Sequence, residues 1–368
     1  MTMDLKTSVP EWIPENYDKK VAGKVVEGCN AESTVIKNKL SKRHNQDVES
    51  LAEGISSGNM ALLSKAITLI ESNSSKHLIL TQELLRKILP LTGKSIRIGI
   101  TGPPGAGKST FIESLGNFLV DSGLKVAVLA IDPSSTVTKG SILGDKTRME
   151  LLSRKANAFI RPSPSGGNLG GVARKTRETI LACEAAGFNI ILIETIGVGQ
   201  SEITVRSIVD VFLLLLLPGS GDELQGIKKG VVELTDILVI NKADGNYKDR
   251  ANLTMASYKS ALNLLHSPTE GWKPQVMSCS AINNQGIDKI WSVINEFIIN
   301  TKSSGIFSHR RNEQLIKWLY GMLDEYIFHK YLNNKKFKAE KNLIESELLA
   351  GNTTTTEAFE KLTRIMGL

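Results

Sequence analysis

Residues 96–111 read IRIGITGPPGAGKSTF, an apolar run that breaks into glycine and proline and then resumes with helical spacing. Ile96-Arg97-Ile98-Gly99-Ile100 predicts a strand, and Phe111, Leu115, Phe118 and Leu119 predict one face of a helix. Between them, Gly102-Pro103-Pro104-Gly105-Ala106-Gly107-Lys108-Ser109 meets the full GxxxxGK[ST] pattern in the strand–loop–helix context it requires. Glycines let the backbone close around phosphates, with N–H groups at a helix N-terminus whose dipole favours anions. Lys108 neutralises phosphate charge and Ser109 offers an oxygen to Mg2+. The nucleotide contacts are therefore assigned to Gly102, Gly105, Ala106, Gly107, Lys108, Ser109 and Thr110. A plain glycine-rich turn is the bland alternative, and it has no need of the Lys-Ser pair.

Outward from this loop, the same period recurs. Val126 to Ile131, Ile190 to Ile193, Val211 to Leu217, Ile237 to Ile240 and Val276 to Ser278 predict strands, and most are separated by helical patterns such as Ile287, Ile290, Trp291, Ile294 and Phe297. Alternating strands and helices imply an α/β fold of the P-loop NTPase type: a mostly parallel sheet with helices on both faces. Before it, Val48, Leu51 and Ile55 form an apolar stripe. Asn59 can cap a second helix with Leu62, Leu63, Ala66, Ile67 and Ile70, and Leu84, Leu85 and Ile88 mark a third. After Gly305 the pattern is helical only, with Leu315, Trp318, Leu319, Met322, Leu323 and Tyr326 on one face. The expected division is a flexible arm and helical extension over 1–93, a nucleotide-binding domain over 94–300 and a helical arm over 301–368. The helical arm's apolar stripe would meet a second copy or the chain's own central domain.

Asn241-Lys242-Ala243-Asp244 follows the strand ending at Ile240. At that edge an aspartate can accept two hydrogens from N1 and the exocyclic amine of guanine, which adenine does not supply. Ser280-Ala281, after the next strand, fits the remaining contact, a backbone N–H meeting O6. The two elements together point to GTP and GDP.

Three acids compete for the magnesium shell. Glu194 ends an apolar strand, Asp132 ends the strand after the loop's helix, and Asp145 lies in Gly144-Asp145-Lys146-Thr147-Arg148. A solvated loop acid remains open for Asp145. Gly197, in Glu194-Thr195-Ile196-Gly197, would offer its N–H to the γ-phosphate. Val198 stands where many small GTPases carry a water-orienting glutamine, so slow intrinsic hydrolysis is expected.

The 368 residues carry a formal charge of +7, with 41% hydrophobic and 23% charged residues, a balance ordinary for a soluble globular chain. The basic cluster from Lys302 to Lys341 reads as a solvated helical face rather than a nucleic-acid surface. Cys29, Cys183 and Cys279 are too few and too separated for a disulfide framework or a zinc site. The longest apolar run, from Val211 to Leu217, is far short of a membrane span. The N-terminus has neither a signal core nor a transit-peptide composition, so the cytoplasm is expected, or the mitochondrial matrix for a eukaryotic source.

Several longer runs are more specific. Asp132-Pro133-Ser134-Ser135, residues 140–149 (GSILGDKTRM), Arg161-Pro162-Ser163-Pro164, residues 194–202 (ETIGVGQSE) and residues 221–228 (GDELQGIK) resemble the methylmalonyl-CoA mutase-associated GTPases. That family includes the methylmalonic aciduria type A protein and bacterial proteins once labelled arginine/ornithine transport kinases. The resemblance covers about Asp47 to Leu323. It implies a homodimeric chaperone that gates adenosylcobalamin delivery to methylmalonyl-CoA mutase or a sister mutase, and helps protect or reactivate that enzyme. It also makes Asp132, Asp145 and Glu194 the magnesium-region acids. The residues expected in the catalytic machinery are Lys108, Glu194, Asp132 and Lys228. Residues 218–230, with Lys228, become a switch loop facing the partner. Thr138-Lys139-Gly140 departs from the paired glycines of relatives. Two rival readings are an ATP-using kinase linked to amino-acid transport, which the guanine tetrad opposes, and a metallochaperone GTPase, which would need a Cys- or His-rich motif.

Overall fold

The chain is described from a computed structural model, over residues 48–131, 149–162, 169–195, 201–219, 229–332 and 335–366. Asp132, Asp145, Gly197, Val198 and Lys228, together with the N-terminal arm, lie outside these residues.

Three helices come first: α1 (Val48–Ser56), α2 (Met60–Glu71) and α3 (Ser75–Ile88). Asn59 caps α2, its side chain accepting from the N–H groups of Ala61 and Leu62 at 3.0 and 3.1 Å, so two orphan donors of the first turn are satisfied. The strands and helices then alternate. β1 (Ile96–Thr101), α4 (Lys108–Asp121), β2 (Val126–Ile131), α5 (Glu150–Ser153), β3 (Ala158–Arg161), α6 (Leu169–Ala185) and β4 (Ile190–Thr195) make the first half. α7 (Ser201–Arg206), β5 (Val211–Leu216), α8 (Lys229–Glu233), β6 (Ile237–Ile240), α9 (Lys248–Leu262), β7 (Gln275–Ser278) and α10 (Ile287–Ser303) complete it. α11 (Ile306–Leu332), α12 (Lys335–Leu349) and α13 (Thr355–Met366) close the chain.

The strands form one sheet in the order β3-β2-β4-β1-β5-β6-β7, and every described pairing is parallel. β1 lies between β4 and β5, where the chain's progress across the sheet reverses. In an open parallel sheet that is the crevice where ligands bind, and the loop after β1 opens onto it.

Burial on both faces explains why these strands read as continuous apolar runs rather than alternating ones. On one face Ile98, Ile100, Val128, Leu192 and Leu213 pack with Phe111 and Leu115 of α4 and Ile290, Ile294 and Phe297 of α10. On the other, Leu129, Ile191, Ile193 and Phe212 pack with Ile180 and Cys183 of α6. Leu51, Ile55, Leu63, Ile67, Leu84 and Ile88 belong to that same cluster, so α1–α3 share the sheet's core instead of building their own.

Three features depart from the sequence reading. β3 was not foreseen: Ala158-Phe159-Ile160-Arg161 is a short edge strand with two buried residues, too brief to show a period. β4 runs on through Glu194 and Thr195, carrying the acid inside the sheet. The basic C-terminal segment is not a uniformly solvated face. Arg310 and Arg311 are mostly buried (15% and 14% exposed side chains), because Phe307, Arg310, Arg311, Gln314 and Trp318 recur at helical spacing on the side of α11 that meets the domain. Arg311 forks onto Asp210 at 2.8 and 2.7 Å and donates to the carbonyls of Gly93 and Ser95. The flank of α11 beside this contact stays open, with Leu315 and Leu319 each 55% and Tyr326 64% exposed.

Candidate functional site

The loop between β1 and α4 is shaped by what its glycines must avoid. A Cβ on Gly102 would sit 2.1 Å from the Leu215 carbonyl oxygen of β5, so no side chain fits there. Gly107 has φ 83°, and a Cβ on it would meet Asn241 Nδ2 at 2.7 Å. Ala106 is fully buried and its N–H donates to the Pro103 carbonyl at 3.2 Å, closing the turn before α4 begins at Lys108.

Lys108 Nζ folds over this loop and donates to the carbonyls of Gly102 (2.8 Å) and Pro103 (3.2 Å). Burial pulls its ammonium below the ordinary lysine range, while the carboxylates of Glu194 and Glu202 pull it back up. Ser109 Oγ, one residue on, donates to Glu194 Oε1 at 3.1 Å. Glu194 itself is only 5% exposed and pairs in register with Ile100 of β1 and Ala130 of β2. Thr195 Oγ1 and Thr101 Oγ1 are 2.9 Å apart in full burial, tying the ends of β4 and β1 together beneath the loop. Thr110 is exposed on the first turn of α4.

A second cluster stands at the ends of β6 and β7. Asn241 is buried and donates to the Ala106 carbonyl at 2.9 Å, linking the tetrad to the phosphate-side loop. Its Oδ1 accepts from the Ala281 N–H at 3.1 Å and lies 3.4 Å from the Cys279 sulfur. Burial pushes that thiol up to about 12, so it stays a neutral neighbour. Ser280 Oγ donates to Asp244 Oδ2, which orients the carboxylate. Lys242 holds φ 57°, unusual for a residue with a side chain and of the kind found at ligand-binding turns. Its Cε lies 3.8 Å from where a Gly107 Cβ would be, so its stem lies close to the loop. Reciprocal hydrogen bonds between Ser280 and Gln285 (3.1 and 3.0 Å) pin the loop that presents Ala281.

The structure thus brings Gly102, Gly105, Ala106, Gly107, Lys108, Ser109, Thr110, Glu194, Asn241, Lys242, Asp244, Ser280 and Ala281 to one edge of the sheet. One detail differs from the expectation: the Ala281 N–H is engaged by Asn241, so a guanine O6 would share that hydrogen or take it. Glu202 is a residue that sequence reasoning missed. It is 2% exposed on α7 and close enough to act on the Lys108 charge. Its role rests on the burial of α7, which a six-residue helix does not announce in sequence.

Residues 63–336 match the model of the family described as methylmalonyl Co-A mutase-associated GTPase MeaB. The chain belongs to this family. It is 48% identical over 322 residues to a putative GTPase of Caulobacter vibrioides, covering 88% of this chain and 98% of that one. It is 43% identical to the methylmalonic aciduria type A homolog, mitochondrial, of Mus musculus, covering 88% and 80% of the two chains. Among solved structures, that of a LAO/AO transport system kinase is similar with a TM-score of 0.72 and 35% identity over 87% of this chain and 98% of that one. The chain is therefore a P-loop GTPase. No helix among its described residues is long and apolar enough to cross a membrane.

Proposed function

We propose that this GTPase is a guanine-nucleotide switch that serves an adenosylcobalamin-dependent mutase, methylmalonyl-CoA mutase or a sister enzyme, gating cofactor delivery and protecting the enzyme. The observation that carries the switch is the contact of Ser109 with Glu194. It joins the phosphate loop to the end of β4, from which the chain enters Ile196-Gly197-Val198-Gly199-Gln200. A change at the phosphates is thereby passed to a segment that a partner can read. The family match supports the choice of partner.

In this account Lys108 and the backbone of residues 102–110 hold the phosphates, and Asp244, Asn241 and Ala281 hold the base. The hydroxyl of Ser109 beside the carboxylate of Glu194 is a hard-oxygen pair suited to Mg2+, with Asp132 and Asp145 as further acids. The bound cation supplies charge neutralisation at the phosphates. Burial lowers the Lys108 ammonium from its ordinary range, and the carboxylates of Glu194 and then Glu202 oppose that shift. Val198 in place of a glutamine leaves the attacking water unpositioned, so hydrolysis is slow until a partner acts. Lys228, within the glycine-rich stretch 218–230, is the group we assign to bring positive charge toward the γ-phosphate when the mutase closes that loop.

The exposed side of α11, with Leu315, Leu319 and Tyr326, is the surface we assign to a homodimer. An ATP-using transport kinase is the rival, since one structural relative carries that name. The Ser280–Asp244 arrangement favours guanine, and ATP failing to compete with GTP separates the two. The partner assignment is tested by capture of purified methylmalonyl-CoA mutase on the immobilised chain with GDP, with a non-hydrolysable GTP analogue and without nucleotide. Equal capture in all three conditions, or none, removes it.

A further inference from the structure

A cavity of about 400 Å3 lies at the opposite edge of the sheet from the nucleotide loop, where β1 begins and α11 crosses α6. Its walls are apolar and cationic together: Ile180, Leu181, Phe307 and Trp318 surround Arg97 and Arg177. The charges are not all matched. Arg97 pairs with Glu184, which is saturated by the N–H of Gly93, the hydroxyl of Ser95 and that guanidinium. Arg311, also in the wall, is matched by Asp210.

Arg177 differs. It donates to the Gln314 carbonyl (2.9 Å), the Ser207 carbonyl (2.8 Å) and the Ser207 hydroxyl (3.0 Å), all of them neutral. Among the described residues no carboxylate pairs with it. A guanidinium has five N–H donors, so two remain beyond these three bonds. Burial, with Arg97 beside it, holds Arg177 down at about 10, so at neutral pH it is still a cation. The guanidinium stacks over the Trp318 ring, 5.5 Å from its centre, and Trp318 Nε1 is shielded from solvent without an acceptor among the described residues. One wall of the cavity therefore holds donors and positive charge in excess of acceptors, beside an apolar surface. Leaving such groups buried and unmatched is costly, and an anion removes the cost.

We propose that this cavity is a second ligand site, separate from the nucleotide site, and that it takes a small carboxylate with an apolar body, the carboxylate on Arg177 and the body between Leu181 and Trp318. Arg177 also holds Ser207, the residue after α7, and α7 carries the Glu202 that acts on Lys108. The ligand thus sits one hydrogen bond away from the helix that follows the switch segment.

The probe is 3-phenylpropionate, titrated calorimetrically and by tryptophan emission into the full chain with GDP bound, against the neutral 3-phenylpropanol and inorganic phosphate. The acid is expected to bind at least about tenfold tighter than the alcohol, a difference of about 1.4 kcal/mol. It should also bind tighter than phosphate, without displacing GDP. Arg177→Gln should remove that preference at unchanged circular dichroism. Should that variant fail to fold, Leu181→Trp fills the cavity and must abolish binding while GTP affinity holds. Trp318→Phe must remove the emission change but not the heat. Equal binding of acid and alcohol, phosphate binding as tightly as the acid, or a folded Arg177→Gln that keeps the preference overturns the proposal. So does binding that disappears as protein concentration drives dimerisation, which would give the cavity to a second copy.

Discussion

Ser109 Oγ stands 3.1 Å from Glu194 Oε1, so the first turn of α4 and the end of β4 meet at a hydroxyl–carboxylate pair beside the phosphate loop. Glu194→Gln keeps an oxygen that can accept from Ser109 and removes the charge. Half-maximal magnesium for GTP binding should then rise by at least about tenfold, while thermal stability stays within about 1 kcal/mol or improves, since a buried carboxylate is lost. A magnesium titration of GTP binding checks this. An unchanged midpoint would separate Glu194 from the metal region.

Base selection should follow Asp244, whose carboxylate is set by Ser280. Asp244→Asn presents an amide that pairs with the xanthine oxygen in place of the guanine amine. The variant should lose GTP affinity by about 2 kcal/mol or more and gain XTP affinity, because a buried recognition group left unmatched carries a penalty of that order. Competition binding with both nucleotides decides it. A retained preference for GTP would mean that the tetrad does not read the base.

Asp210 is 1% exposed and takes both prongs of Arg311 as well as the Arg97 N–H at 2.8 Å. Asp210→Ala leaves a mostly buried guanidinium unmatched and should cost about 3–5 kcal/mol in urea unfolding. GTP affinity should change little, since this pair lies at the strand beginnings and the nucleotide loop at the strand ends. A loss under about 1 kcal/mol would show that α11 is held by its packing and not by this fork.

The parts of the fold that were legible were those with a period or a fixed motif. β1, β5 and β6 announced themselves as buried runs, and Gly102 to Ser109 carried its own context. Asn59 was legible as a cap because a short polar side chain there has one main use. β3 was not, since a four-residue edge strand with two buried residues has no period to read. The roles of Arg310 and Arg311 were hidden for another reason. A cationic residue on a helix reads as solvent-facing until its partners are known, and Asp210 lies 101 residues before Arg311 in sequence. At the candidate site, the motifs that meet at one edge of the sheet could be picked out from spacing alone. Glu202 needed the burial of α7, and the Asn241 bridge to Ala106 needed the fold that brings β6 beside β1's loop.

Association should depend on the open side of α11. Leu319→Glu places a charge among Leu315, Leu323 and Tyr326, which are about half or more exposed in the single chain. Sedimentation of the wild type at micromolar concentration should give a dimer, and the variant a monomer of unchanged helicity. A wild type that sediments as a monomer removes the dimer, and a dimeric variant moves the interface elsewhere.

On the proposed function, GTP hydrolysis in this chain is a signal read and accelerated by a mutase. Steady-state GTP turnover, measured with and without purified methylmalonyl-CoA mutase, tests it most directly. Slow basal hydrolysis is expected, with a rise in kcat of at least about tenfold when the mutase is added, a barrier lowered by about 1.4 kcal/mol. Turnover that is fast without partner, or unchanged at saturating mutase, would contradict it.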